Sequence, residues 1–171
     1  MQLIPAWAPN VHPMIVHFPI VLVMLAALAD LIHVVRPRMR GPGALAPSLY
    51  MLGALASVSA YVSGRVAAAT VFIPGMAHGL VDEHHNWALA TMISFVVLAT
   101  LRPVGRLAGL ANTRTTRLVF LVLGLAVLVL VQQTAERGAR LVYEQGVGVV
   151  TGLGPMNFDV LDSVGVEGDS Q

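Results

Sequence analysis

Four stretches of this chain stay apolar for long enough to cross a hydrocarbon core as helices, which takes about 20 residues. They run Pro13–Val35, Pro47–Phe72, His85–Leu101 and Thr116–Gln133, and the last continues as a more polar helix towards Tyr143. The connections Arg36–Leu45 and Arg102–Thr115 collect Pro, Gly and most of the Arg. Backbone exposed to lipid has to be helical or closed into a barrel. The pattern therefore predicts an all-α, integral membrane four-helix bundle over residues 1–145, followed by an extended, Gly-rich acidic tail over 146–171. No tandem repeat, hinge or low-complexity tract stands out along the sequence.

Composition points the same way. Hydrophobic residues make up 56% of the 171 positions and charged residues 11%, with a mean hydropathy of +0.76. A soluble domain carries about 25% charged residues, so this chain could not cover a water-facing surface and its expected surroundings are a lipid bilayer. A net charge of +1 gives no electrostatic footprint for nucleic acid. The absence of cysteine excludes disulfides, thiolate zinc sites, iron–sulfur clusters and covalently attached c-type haem.

Arginine placement predicts orientation. Arg36, Arg38 and Arg40 lie in one connection, and Arg102, Arg106, Arg114 and Arg117 lie in or beside the other. Only Arg137 and Arg140 lie near the opposite end. The positive-inside rule puts both Arg-rich loops in the cytoplasm of a bacterial inner membrane protein, with the two termini and the loop 73–84 in the periplasm. The opening MQLIPAWAPN has no basic stretch ahead of its apolar run, so no cleavable signal is expected. In the tail, Asp159, Asp162, Glu167 and Asp169 supply charge, and Met156 and Phe158 offer anchors. Such a segment is expected to dock on another membrane or periplasmic subunit.

Chemistry should run through histidine, of which there are six. Near the start, NVHPMIVHFPI places Pro13 where a helix tolerates its missing N–H, His12 at the helix mouth and His17 about one turn inside. Pro19 should bend the helix beside His17. Five residues apart, His12 and His17 point about 140° from each other, so each would serve a different site. The second cluster, GMAHGLVDEHHNW, holds His78, His84 and His85, with Asp82 and Glu83 as neighbours for pairing. Five histidines thus gather at one end of the bundle, while His33 lies near the other, about 24 Å from His17.

In the second span Ala56, Ala60, Gly64 and Ala68 repeat every four positions. The resulting smooth face suits close helix packing or a planar macrocycle. Arg65, beside Gly64, is a charge within a span and calls for a partner: a haem propionate, Glu136 or a substrate carboxylate. Glu136 and Arg140 have the spacing of a helical ion pair. Asp30 and His33 form a polar spot towards the Arg-rich end, either interfacial or a proton or quinone site.

HPMIVHFPI near the start and GARLVYEQGVGV after the last span resemble the signature ends of a bacterial four-helix membrane family, domain of unknown function 2231. The resemblance covers roughly residues 10–150 and implies the four-helix fold without implying an activity. The family's usual ending is closer to GGxLVYxHGVGV; this chain has Ala139 for the second Gly and Gln145 for the His.

The histidines, the smooth face and Arg65 together suggest a b-type cytochrome-like electron-transfer subunit, passing electrons between quinone and a periplasmic partner. In this reading His17 and His85 hold one haem b, and His12 and His78 hold a second, shallower one. Arg65 meets a propionate, and the Gly64 face lies against a ring. His84, about 100° around the helix from His85, then faces the loop. Two alternatives stand beside it. One is a metal-binding protein using His12, His17, His78 and His85 with Met14 and Met76 for copper or zinc. The other is a cofactor-free structural subunit of a larger complex. Hydrolytic chemistry is not expected, since there is no Ser–His–acid spacing and no HExxH.

Overall fold

In the computed structural model the described residues are 10–107 and 113–149. The elements are α1 (His12–Ile15), α2 (His17–Val35), α3 (Arg40–Thr70), a 3₁₀ turn at Gly75–Ala77, α4 (His78–Leu107) and α5 (Arg114–Tyr143). Among the described residues there is no strand. The four long helices are long and apolar enough to cross a membrane, α1 and α2 together forming the first span. The bundle runs up and down. α2 packs on α3, α3 on α4, α4 on α5, and α5 back on α2, a closed ring in which α2 and α4 are diagonal, as are α3 and α5.

Several boundaries differ from those the sequence suggests. The break at Val16, between α1 and α2, follows from Pro19, which has no N–H to give the Ile15 carbonyl one turn back. α3 starts at Arg40, not Pro47. Pro42 sits in its first turn, where the missing N–H costs nothing, and Pro47 is carried inside the helix. The connection between the first two spans is therefore much shorter than 36–45. α4 starts at His78, seven residues ahead of the expected His85, because the 3₁₀ turn feeds straight into it. That shift decides which histidines face the core. α5 starts at Arg114, with Thr113 Oγ1 accepting from the Thr116 amide at 3.2 Å as its N-cap.

The GVG of the family-like ending is a backbone device. Gly146 has φ 63° and Gly148 φ 74°, a left-handed conformation that glycine adopts without strain. The Gly146 amide bonds the Val142 carbonyl at 3.1 Å, a glycine stop that ends the helix. The acidic tail with Met156 and Phe158 lies outside the described residues.

The core is apolar and narrow, built on Val23, Ala26, Tyr50, Phe95, Leu98 and Val127. The outward faces carry Leu25, Leu28, Val62 and Val122 in the open, which fits a surface solvated by lipid chains. Where helices come closest, a glycine of one receives a ring from another. A Cβ on Gly53 would lie 2.7 Å from Phe95, on Gly43 2.6 Å from His33, and on Gly64 2.9 Å from His12.

At the Arg-rich end one buried polar node ties the four spans together. Asp30 of α2 pairs with Arg102 of α4 and accepts a hydrogen bond from Tyr50 of α3 at 3.2 Å. The Arg102 guanidinium lies between the rings of Tyr50 and Phe120, 4.5 and 4.4 Å from their centroids, and Phe120 belongs to α5. Asp30 is 5% exposed and Arg102 7%, so this is a core ion pair and not the interfacial spot that Asp30 and His33 suggest in sequence.

Candidate functional site

The bundle brings His12, His78, His84 and His85 to one end, with His17 a turn further in, but it gives them different surroundings. His12, at the start of α1, is half-buried. Its backbone amide bonds Asn10 Oδ1 at 3.0 Å, and its ring Nδ1 lies 3.0 Å from Ser63 Oγ on α3. Ser63 spends its own hydroxyl proton on the Ala60 carbonyl at 2.9 Å, so His12 Nδ1–H is the donor and Nε2 keeps the lone pair. His84, in the second turn of α4, repeats the arrangement on the other side. Its Nδ1 lies 3.0 Å from the Thr134 carbonyl of α5. A carbonyl only accepts, so here too Nδ1 carries the proton and Nε2 the lone pair.

Both rings are seated the same way. A Cβ on Gly64 would stand 2.9 Å from His12 Cε1, and one on Gly138 would stand 3.1 Å from His84 Cε1. Each imidazole edge therefore lies tight against a glycine, and at Gly64 a Cβ would force the ring to shift. The smooth α3 face receives an imidazole at Gly64, where the sequence reading places a macrocycle. His12 and His84 stand on diagonal spans at the same end of the bundle. Below His84, Thr91 and Thr134 hydroxyls meet at 2.9 Å and close off that layer.

The other histidines are placed differently. His17 is exposed on the outside of the bundle, and its ring makes no hydrogen bond among the described residues. His78 is exposed and bonds the Gly75 carbonyl at 3.1 Å, the role of a helix-start residue. His85 turns towards α3, with Nε2 2.8 Å from Tyr61 Oη and 3.3 Å from Arg65 Nη1. Arg65 thus lies beside His85, not beside Glu136. His84, expected to face the loop, is the residue that packs into the bundle. The helix starting at His78 is the reason, because it fixes the rotation of everything after it.

Around the rim Arg137 covers the Trp87 ring at 4.6 Å and reaches Glu83 at 3.3 Å and Gln133 Oε1 at 2.9 Å. Arg140 pairs at 3.0 Å with Glu144 one turn after it, where the sequence reading has Glu136 one turn before it. Among the described residues no three His, Cys, Asp or Glu side chains converge as a set that could hold a metal ion. A zinc or copper site built from protein ligands alone takes three or four. A two-imidazole donor set is instead what an iron already held by a macrocycle needs from the protein.

Comparison with curated proteins and with solved structures finds no match. One family model does match, over residues 8–151, and its description is "Predicted membrane protein (DUF2231)". That span includes every described helix and both motif-bearing ends, so this chain belongs to the DUF2231 family of predicted membrane proteins.

Proposed function

We propose that this membrane protein is an electron-transfer subunit that holds one haem b at its histidine-rich end, with His12 and His84 as the axial pair. The observation that carries the reading is the matched presentation of these two rings. Each comes from a diagonal span, has Nδ1–H fixed by an oxygen of the next helix, and keeps Nε2 as a ligand nitrogen. Metal-bound histidines characteristically donate their other ring N–H to such an oxygen, which fixes the tautomer and raises ligand basicity. When bound, haem b supplies a reversible one-electron couple. The chain's part is to fix two imidazoles, exclude water through the Thr91–Thr134 layer, and set a cation at the rim. Arg65, exposed beside His85, is the group to meet a propionate. His17 and His78 leave no second pair of comparable build, so the reading is one haem and not two.

The arginine distribution supports placing this end on the periplasmic side of a bacterial inner membrane, where a periplasmic subunit or membrane quinone would exchange electrons with it. The test is to express the full chain in haem-replete cells, purify it in mild detergent and record the reduced-minus-oxidised absorption spectrum. A b-type difference spectrum at about one haem per chain is expected. A colourless protein would leave the cofactor-free structural reading in its place.

A further inference from the structure

The spans carry an internal correspondence that few identical residues betray. Seventy-two positions separate His12 from His84, and the same interval separates buried Val23 from Phe95, Ala27 from Ala99, and Asp30 from Arg102. For the other two helices the interval is seventy-four. It relates the starts of α3 and α5 at Arg40 and Arg114, buried Tyr50 to Gly124, Ser57 to Val131, and Gly64 to Gly138. Contacts follow the same relation. His12 sits on Gly64 beside the Ala60 turn, and His84 sits on Gly138 and the Thr134 carbonyl, with Ala60 and Thr134 again seventy-four apart.

Corresponding residues also meet each other. Asp30 pairs with Arg102, and the Tyr50 hydroxyl lies where a Cβ on Gly124 would be. A residue touching its own counterpart is the mark of an isologous, two-fold interface. Two such pairs, with His12 and His84 seated alike on Gly64 and Gly138 at the other end, define an axis running along the bundle between the hairpin α1–α3 and the hairpin α4–α5.

We infer that the bundle is a duplicated helical hairpin with a pseudo-two-fold axis, and that Asp30 with Arg102 is the key that makes each half accept only its unlike partner. Two first hairpins would set carboxylate against carboxylate and the Tyr50 ring against a second ring. Two second hairpins would set guanidinium against guanidinium and leave a void at Gly124. Only the mixed pairing neutralises the axial charge, and only there does a large residue meet a small one. Specificity by penalising the wrong pairing is a known use of buried charge. The surface concerned is the inner face of each hairpin, and its partner is a hairpin of opposite charge at the same register. The inference is independent of whether haem is bound.

The test uses the full chain carrying Asp30→Arg, Arg102→Asp, and both changes together. Yield of monodisperse protein in detergent is the readout, with circular dichroism confirming helix content. Each single change places like charges on the axis and should lower the folded yield roughly tenfold or more. The double change restores opposite charges with their sides exchanged and should recover the yield to within about threefold of wild type, as coupled residues do. A double variant no better than the poorer single one, or single variants with undiminished yield, would overturn the pairing key.

Discussion

His12→Ala and His84→Ala should each convert the ferric protein from a six-coordinate low-spin to a high-spin spectrum or strip it of haem, whereas His17→Ala should leave the spectrum unchanged. The expectation rests on how the rings are held. His12 and His84 are half-buried and have their Nδ1 protons fixed by Ser63 and Thr134, while His17 is exposed on the outside of the bundle. On the proposed reading, losing one imidazole ligand would remove a metal bond as well as a packed ring, an effect far larger than any surface substitution. Because the two rings occupy corresponding positions on diagonal spans, the two variants should behave alike. Absorption and magnetic resonance spectra of the three variants, side by side, check this. A His17 variant that loses the low-spin form while a His84 variant keeps it would reverse the assignment.

Arg102→Met should be the most damaging single change away from the histidines. It leaves Asp30 buried beside the Tyr50 hydroxyl without its guanidinium, and breaking one side of a buried ion pair costs about 3–5 kcal/mol. Asp30→Leu combined with Arg102→Met removes both charges and should recover most of that loss, since an apolar pair of similar volume is often as stable. Thermal unfolding of the detergent-solubilised proteins gives the comparison. A single variant that melts with the wild type would mean that Arg102 is not paired in the folded chain.

Much of this molecule is legible in its sequence because lipid restricts the alternatives. Four apolar runs of helical length and two Arg-rich connections leave little besides a four-helix bundle. The helix starts are harder to read. Pro42 looks like a loop residue and Pro47 like a helix start, yet a first-turn proline costs nothing and the second is carried inside the helix. The segment Gly75–Glu83 looks like an outer loop because it is polar, yet it is a 3₁₀ turn followed by helix.

Depth alone favours His17 over His12, but depth says nothing of rotation, which leaves His17 exposed and His12 half-buried. Positions seven apart share a face of a packed helix. His12 continues to Pro19, Ala26 and His33, the last three buried, and His84 continues to Thr91 and Leu98, also buried. His17 continues instead to Met24 and Leu31, both exposed. Burial along these stripes, and not the hydrophobicity of their residues, sets His12 and His84 apart from His17. The Asp30–Arg102 pair was harder to see, since Arg102 reads as the first residue of a cytoplasmic loop and nothing local marks its partner 72 positions earlier. The duplication is equally faint. At these intervals mostly apolar residues stand in for one another, so what persists is the order of buried positions and not the letters.

The account turns on whether His84 supplies an axial nitrogen opposite His12. The most direct measurement is ligand rescue: the ferric His84→Ala protein, prepared with haem, is titrated with free imidazole and followed by magnetic resonance. With the Gly138 notch emptied of its ring, added imidazole should enter and restore the low-spin signal of the wild type, while leaving His17→Ala unaltered. A His84→Ala protein whose signal already matches the wild type before any imidazole is added would contradict the assignment.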